Sequence, residues 1–345
     1  MKALVYRGPG KRSWEEHRKP VLDAPDDAIV RMTATTICGT DLHILKGDVP
    51  EVTEGRILGH EGVGIVDEVG PAVTTLKKGD RVVVSCITSC GKCDFCRRGS
   101  YSHCRSGGWI LGHLIDGTQA EYVRIPHAET SLYPAPASVK DEELTMLSDI
   151  LPTGFEAGVR FGQVQPGATV AIVGAGPIGL SVLMTSQLYS PSAIFQIDPD
   201  HNRLEMAKSL GATEVIDGKG DAAVKRVMEL TSGAGVDVAI EAVGVPETFE
   251  VCTRIVAPVG HVANIGVHGK PATLHLETLW AHNLTLTTRL VDTETLPMLL
   301  KMVVAGRLQP KKLITHRFKL AEAMAAYDVF GNAARERAIK VILAG

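Results

Sequence analysis

The chain has 345 residues, 45% of them hydrophobic and 22% charged, which is ordinary for a globular protein and excludes a disordered chain. A single hydrophobic core seldom serves more than about 200 residues, so this length predicts two domains. The net charge of −3, from 36 basic and 39 acidic residues without a basic block, predicts no nucleic-acid partner. No run of about 20 apolar residues and no secretory leader are present, so we expect a cytoplasmic protein with no membrane partner.

Residues 1–150 predict a mainly β domain. Short apolar runs alternate there with turns rich in Gly, Pro and Asp, and strands are predicted over 28–32, 64–69, 81–84 and 120–125. Many short strands separated by such turns favour a partly closed barrel.

Strands and helices alternate after residue 165. Strands are predicted over 168–173, 193–197, 214–216, 236–242 and 261–265. Helices are predicted over 178–188, 203–210, 221–231 and 246–256. This alternation is typical of βαβ units, so we expect a doubly wound parallel sheet that is buried on both faces.

The C-terminal residues return to shorter segments and end in a predicted strand over 338–343. We expect them to rejoin the first domain, which makes the α/β domain an insertion. The predicted boundaries are 1–152 and 290–345 for the barrel-like domain and 153–289 for the α/β domain.

A glycine-rich turn at residues 174–179, G-A-G-P-I-G, follows the strand that opens the α/β domain. Gly174 allows the tight turn, Gly176 lets the backbone approach a pyrophosphate, and Gly179 lets helix and strand pack closely. Pro177 and Ile178 open the helix, whose N-terminus attracts phosphate. The context predicts a dinucleotide site, and a structural turn without a ligand is the alternative.

Asp198 closes the next strand, 19 residues after Gly179. A carboxylate there can accept hydrogen bonds from the adenosine ribose and repels a 2′-phosphate, which favours NAD over NADP. Because Pro199 suits a first helical turn, a helix N-cap is the alternative role for Asp198. Arg203 could neutralise Asp198 or bind phosphate, so use of NADP stays open.

Four of the seven cysteines lie in one loop, with the spacing of a metal site: Cys90, Cys93, Cys96 and Cys104. Four thiolates with no open position are typical of structural zinc. An iron–sulfur cluster or four unrelated thiols are the alternatives. We expect Cys86 and Cys252 to be buried and inert.

A second group of potential metal ligands does not make up a complete set of four. Cys38 is followed 22 residues later by His60 and Glu61. A thiolate, an imidazole and a carboxylate can bind zinc with one position left open, as catalysis requires. Spacing alone leaves the alternative that these are ordinary core residues.

The signature G-H-E-x2-G-x5-G-x2-V, from Gly59 to Val73, resembles that of the zinc-dependent medium-chain alcohol dehydrogenases. The C-G-x-D-x-H segment at 38–43, the four-cysteine loop and the glycine-rich turn follow the family's order and spacing. The resemblance covers essentially the whole chain. It implies a GroES-like, partly closed β-barrel catalytic domain with an inserted Rossmann domain.

The resemblance implies a role for each residue of the incomplete metal group. Cys38 and His60 match two ligands of the catalytic zinc, and Glu61 matches the carboxylate that can transiently replace substrate or water. At the third ligand, where liver-type and yeast-type enzymes have Cys, this chain has Asp149. An Asp there is similar to the bacterial secondary-alcohol dehydrogenases.

Further roles follow from the same resemblance. Thr40 and His43 match a relay that carries the substrate proton through the cofactor ribose to water. Thr153 matches a residue packed against the nicotinamide, and Trp109 lies where secondary-alcohol enzymes have a pocket aromatic. Lys340 matches a basic residue near the pyrophosphate, with a solvated lysine as the alternative.

The implied function is reversible oxidation of a small or medium alcohol, with secondary alcohols as candidates, to an aldehyde or ketone. The implied cofactors are NAD and two zinc ions per chain, one catalytic and one structural, in a homodimer or homotetramer. A polyol dehydrogenase of the sorbitol or butanediol type is the alternative within the family. A zinc-stapled, non-catalytic binding protein and a zinc-free quinone or enoyl reductase are the alternatives outside this activity.

Overall fold

The computed structural model describes all residues from Met1 to Gly345 and divides them into two compact units. The first unit combines Met1–Pro152 with Asp292–Gly345, and the second unit is Thr153–Val291.

The N-terminal part of the first unit contains seven strands. They are β1 (Lys2–Tyr6), β2 (Arg12–Glu16), β3 (Ala28–Thr36), β4 (Gly62–Val69), β5 (Arg81–Val84), β6 (Tyr122–Ile125) and β7 (Leu132–Pro134). Four short helices accompany them: α1 (Gly39–Lys46), α2 (Ala128–Ser131), α3 (Asp141–Thr145) and α4 (Ile150–Thr153).

The second unit contains six strands. They are β8 (Thr169–Val173), β9 (Ala193–Asp198), β10 (Glu214–Asp217), β11 (Val236–Glu241), β12 (Val256–Asn264) and β13 (Thr285–Thr288). A π-helical segment covers Gly154–Arg160, and the α-helices are α5 (Pro177–Ser186), α6 (His201–Ser209), α7 (Gly220–Leu230), α8 (Pro246–Ile255) and α9 (Leu276–Leu279).

The C-terminal part of the first unit adds two strands and three helices: α10 (Leu296–Val304), β14 (Ile314–Lys319), α11 (Ala323–Gly331), α12 (Ala333–Glu336) and β15 (Lys340–Ala344).

The main sheet of the first unit runs in the order β14-β15-β3-β4-β5-β7, and β6 pairs with β3. Strand β15 pairs antiparallel with β3, with Ile342 opposite Thr36. The last strand of the chain therefore lies in the sheet that the N-terminal part begins. Strand β3 is almost fully buried, because it is paired on both sides and packs in the core.

The sheet of the second unit is parallel throughout, in the order β10-β9-β8-β11-β12-β13. Its central strands are nearly continuous apolar runs, since helices cover both faces of such a sheet. The strand order reverses at β8, and ligands of doubly wound sheets bind at the carboxyl ends of the strands beside such a point. The predicted fold, a GroES-like domain with an inserted doubly wound parallel sheet, is confirmed.

Several predicted element boundaries were wrong by a few residues. The strand predicted over 28–32 extends to Thr36, the helix predicted over 203–210 begins at His201, and the strand predicted over 261–265 begins at Val256. Strands β2 and β13 were not predicted, because their mostly polar, solvent-facing residues carry no apolar alternation. None of the helices combines the length and apolar composition that a membrane crossing requires.

Candidate functional site

Cys38 lies at the N-terminus of α1, between the end of β3 and the first residue of the helix. It is the N-cap residue, and its backbone N–H donates to Asp41 Oδ2 at 2.9 Å. The positive end of the helix dipole favours a thiolate at this position. Burial, however, raises the pKa of the Cys38 thiol, so a thiolate here needs a cation beside it.

The other three predicted ligands converge on Cys38. His60 and Glu61 lie immediately before β4, and Asp149 lies immediately before α4. His60 Nε2 is 3.3 Å from Asp149 Oδ2, which is 3.9 Å from Cys38 Sγ. One ligand atom from each of the four residues lies within 4.8 Å of the others. Residues up to 111 positions apart in the chain thus form one cluster.

The charge of this cluster fits a divalent metal ion. Three acidic groups and an imidazole are gathered in a site where His60 is 4% exposed and Glu61 is 1% exposed. Burial raises the pKa of Glu61, because the low dielectric penalises its charged form. For His60, burial lowers the pKa, but hydrogen bonds with Asp149 and Cys38 outweigh it and raise the pKa well above its usual value. Sulfur, nitrogen and oxygen donors at this spacing are a ligand set that zinc accepts.

Lys340 is buried against this cluster. Its Nζ donates to both carboxylate oxygens of Glu61, at 2.8 and 3.0 Å, and both side chains are 1% exposed. The alternative of a solvated lysine was therefore wrong: burial lowers its pKa, and the Glu61 charge more than offsets this. A contact of Lys340 with pyrophosphate stays a prediction.

Thr40 and His43 lie three residues apart on α1, so they occupy one face of that helix. Thr40 Oγ1 is 3.7 Å from Cys38 Sγ. His43 Nδ1 is 2.8 Å from Asp48 Oδ2, and the imidazole is 29% exposed. Their role as a proton relay stays a prediction.

An aromatic pair, Trp109 and His113, adjoins the candidate ligand His60 through Trp109. The Trp109 ring meets the His60 ring edge-on, with the centroids 6.3 Å apart, and stacks on His113 at 4.3 Å. His113 Nδ1 also lies 3.0 Å from the Trp109 carbonyl oxygen. The role of Trp109 in the pocket stays a prediction. His113 was not predicted from the sequence, although it lies only four residues after the predicted pocket aromatic Trp109.

The four-cysteine loop forms a second ligand cluster in the first unit. One sulfur from each of the four cysteines lies within 4.8 Å of the others. The Cys90 N–H points at Cys104 Sγ at 3.2 Å, and the Cys93 N–H points at Cys90 Sγ at 3.4 Å. Burial opposes ionisation of Cys90, but backbone N–H groups outweigh it and lower the pKa to about 6. The group is closed and sulfur-only, as a structural metal requires.

The glycine-rich turn carries the expected dinucleotide features. Gly174 has φ +105°, a conformation that favours glycine, and a Cβ on Gly179 would lie 1.8 Å from the Gly174 carbonyl oxygen. A Cβ on Gly176 would meet nothing closer than Arg203 Nη1 at 3.9 Å. The fold therefore requires glycine at positions 174 and 179. At Gly176, open space remains where the pyrophosphate was predicted. Pro177 opens α5, and the free N–H groups of the first turn suit phosphate.

Asp198 lies at the carboxyl end of β9 and is 6% exposed. Its Oδ2 accepts from the Ala175 N–H at 2.7 Å, and its Oδ1 accepts from the Asp200 N–H at 2.8 Å. The N-cap alternative for Asp198 was wrong, because Asp200 caps α6 instead. Arg203 Nη1 lies 3.9 Å from Asp198 Oδ2, close enough to offset part of its charge.

Glu241, which was not predicted from the sequence, occupies the matching position at the carboxyl end of β11. It is fully buried, and its Oε1 accepts from the N–H groups of Val243 and Gly244 at 2.9 and 2.8 Å. An acidic residue that ends an apolar strand was the signal that identified Asp198 and applies equally here. Thr153 ends α4 just before the π-helical segment, and its contact with nicotinamide stays a prediction.

Comparisons with known proteins point the same way as the geometry. The family model described as "Alcohol dehydrogenase GroES-like domain" matches residues 24–137, and "Zinc-binding dehydrogenase" matches residues 177–305. An alcohol dehydrogenase of Cupriavidus necator is 36% identical over 369 aligned residues, covering 99% of this chain and 98% of the relative. An NADP-dependent isopropanol dehydrogenase of Thermoanaerobacter brockii is 34% identical over 329, covering 92% of each.

A solved structure resembles the whole chain. The apo form of zinc-dependent alcohol dehydrogenase 2 from Streptococcus pneumonia superposes with a TM-score of 0.96 at 52% identity, covering 100% of this chain and 98% of that one.

Proposed function

We propose, because the chain belongs to the zinc-dependent medium-chain alcohol dehydrogenase family, that it reversibly oxidises small and medium-sized alcohols, secondary alcohols included, with NAD as the hydride acceptor. The predictions of this family and of an enzyme of this class are confirmed by the two family models and the full-length relatives. The observation that carries the proposal is the buried metal-ligand cluster of the first unit, whose four ligand atoms lie within 4.8 Å of one another.

Cys38, His60 and Asp149 would hold the catalytic zinc, and Glu61 would stand by as a fourth ligand. Bound zinc lowers the pKa of a hydroxyl, and bound NAD accepts a hydride at its nicotinamide. A carboxylate is a harder and less electron-donating ligand than a thiolate, so with Asp149 as a ligand the bound ion would be a stronger Lewis acid than with a second cysteine.

The protein's own residues would remove the hydroxyl proton. Thr40, on the first turn of α1, would accept it in a hydrogen bond. His43, one turn further and partly exposed, would release it to water, since an imidazole can both accept and donate a proton. The Asp48 carboxylate at 2.8 Å would orient the imidazole for this transfer.

NAD is proposed as the cofactor on the position of Asp198. Its buried carboxylate at the end of β9 would repel a 2′-phosphate. Arg203, 3.9 Å away, could weaken this preference, and the Thermoanaerobacter brockii relative is described as NADP-dependent. The ratio of kcat/KM for NAD to that for NADP tests the proposal, and a ratio below one contradicts it.

A second zinc would occupy the four-cysteine loop in a structural role. The sulfurs face one another, and backbone N–H groups point at two of them, which stabilises thiolates. Iron content and visible absorption distinguish this proposal from an iron–sulfur cluster. The cluster contains iron and absorbs visible light, whereas zinc does not absorb visible light.

The second unit offers a surface for self-association, and we place a two-fold homodimer contact there. Strand β13 is an edge of the sheet, and large apolar side chains near it are exposed: Leu276 by 61% and Trp280 by 79%. Unpaired edge strands with exposed apolar residues are sites where another chain adds. Light scattering of wild type and Trp280→Glu should show a dimer, or a tetramer built as a dimer of dimers, that becomes smaller in the variant. An unchanged mass contradicts this contact.

The central experiment measures metal content per chain beside NAD reduction with primary alcohols, secondary alcohols and polyols. Wild type should hold two zinc ions, while Cys38→Ser, His60→Ala and Asp149→Ala should each hold one and lose turnover. Cys252→Ser is the matched control, because that cysteine is buried but lies in no metal cluster. Full activity in the three variants, or one zinc in wild type, refutes the catalytic-zinc proposal.

The same panel separates the other candidate functions. A preference for polyols assigns the chain to the polyol branch, and zinc without turnover on any alcohol supports a binding protein. Reduction of an enone that persists with a chelator supports a zinc-free reductase.

A further inference from the structure

A buried line of hydrogen bonds leads from helix α11 to the backbone of Cys38. The Tyr327 hydroxyl donates to Gln119 Oε1 at 2.8 Å, and Gln119 Nε2 donates to Asp41 Oδ2 at 3.0 Å. The same carboxylate oxygen accepts the Cys38 N–H at 2.9 Å. Side chains from three separate parts of the chain thus form a line of hydrogen bonds to the backbone of Cys38, the N-cap residue of α1.

The direction of every bond in this line is determined. Tyr327 is 2% exposed, and Gln119 and Asp41 are fully buried, and buried polar groups are nearly always hydrogen-bonded. Burial raises the pKa of Tyr327 well above its usual value, so its hydroxyl keeps the proton and donates. The Gln119 amide must then face Asp41 with its N–H₂ group, which also donates to the Thr36 carbonyl at 3.2 Å.

The outer end of the line, at Tyr327, also has a charged partner. The Arg12 guanidinium lies over the Tyr327 ring, 4.9 Å from its centroid, and donates to Asp328 Oδ1 at 2.6 Å. A cation over an aromatic face is attracted to it, so this contact restrains the ring. Both the ring and the hydroxyl of Tyr327 therefore have a fixed partner.

Gln119 also contacts the segment that carries a second ligand. Gly59, next to His60, has φ +94°, and a Cβ there would lie 2.6 Å from Gln119 Cγ. The Gln119 side chain therefore lies against the backbone before His60 while it holds Asp41 by a hydrogen bond.

We propose that Gln119 and Tyr327 are positioning residues of the metal site, which act through Asp41 to set where the Cys38 sulfur stands relative to His60. Neither residue touches the ligand atoms. The inference rests on the proposed zinc-binding role of Cys38 and is independent of which alcohol is the substrate.

Tyr327→Phe tests the proposal, since it keeps the ring and removes only the hydroxyl. Outer partners of metal ligands typically contribute about 10–100-fold in metal affinity. We expect zinc to bind the Cys38 site about tenfold more weakly, measured by competition with a metal-buffering chelator. Cobalt placed in this site, with zinc kept in the four-cysteine loop, should show a shifted thiolate-to-cobalt absorption. Zinc retention in the loop is the internal reference.

Two further variants make the outcome specific. Tyr6→Phe makes the same substitution in the same hydrophobic cluster, and its zinc affinity should match wild type. Gln119→Met interrupts the line one step nearer the metal, and adding Tyr327→Phe to it should weaken zinc binding no further, because the two residues act in series.

The results separate the proposal from its premise. Wild-type affinity and an unshifted cobalt spectrum in Tyr327→Phe overturn the proposal, and so does an equal loss in Tyr6→Phe or in the four-cysteine loop. Absence of zinc from the Cys38 site of wild type itself overturns the proposed function.

Discussion

Replacing Lys340 by Met tests the buried ion pair beside the metal cluster. Lys340 Nζ lies 2.8 and 3.0 Å from the two carboxylate oxygens of Glu61, and both side chains are 1% exposed. Met keeps most of the apolar stem but removes the charge. Glu61 would then be a buried carboxylate without its cation, a situation that proteins rarely tolerate.

The magnitude follows from the distance and the burial. Two unit charges 2.8 Å apart attract by about 6 kcal/mol at an effective dielectric constant of about 20, before the cost of removing both from water. Truncating one partner of a buried pair costs about 3–5 kcal/mol, because the other charge stays buried. We therefore expect Lys340→Met to lose about 3–5 kcal/mol of unfolding free energy. The double variant Lys340→Met, Glu61→Gln should recover most of that loss.

Urea unfolding of metal-free protein, followed by circular dichroism and extrapolated linearly, measures these free energies without contributions from bound zinc. Lys78→Met is the matched control, because its pair with Asp67 is at the surface, with the lysine 77% exposed, and such pairs contribute under about 1 kcal/mol. A loss below about 1 kcal/mol in Lys340→Met, or a double variant less stable than the single one, would refute the reasoning.

Three more predictions concern other parts of the molecule. Gly176→Ala should keep wild-type stability but bind NAD at least tenfold more weakly by fluorescence titration, whereas Gly269→Ala, also in open space, should change neither. Val259, a β-branched residue 69% exposed with φ +68°, should gain about 0.5–1 kcal/mol as Val259→Gly, and a lower unfolding temperature contradicts this. Backbone N–H groups, first that of Thr74, lower the pKa of Glu129 from 4.5 to about 2. The stability advantage of wild type over Glu129→Gln should therefore be full above pH 4.5 and shrink as the pH falls towards 2, and a constant difference in unfolding midpoints would contradict it.

The sequence by itself determined the class of fold and the local sites. Apolar runs that alternate with helical segments predict a parallel sheet, because each element carries its own periodicity. The glycine-rich turn and the four-cysteine loop are local as well: their functional groups lie within 15 residues or fewer of one another. Such groups are near in space whatever the rest of the chain does, so their chemistry can be read from spacing.

Only the tertiary structure decided which distant residues meet. Nothing near Lys340 in the chain indicates that it lies against Glu61, 279 positions away, and a lysine close to a C-terminus is ordinarily solvated. The line from Tyr327 to Asp41 was equally invisible, since its partners are separated by 208 and 78 positions. Strand β15 and helix α11 bring these residues to the metal cluster by packing on β3 and its neighbours. That arrangement depends on the summed burial of many side chains, which no local pattern encodes.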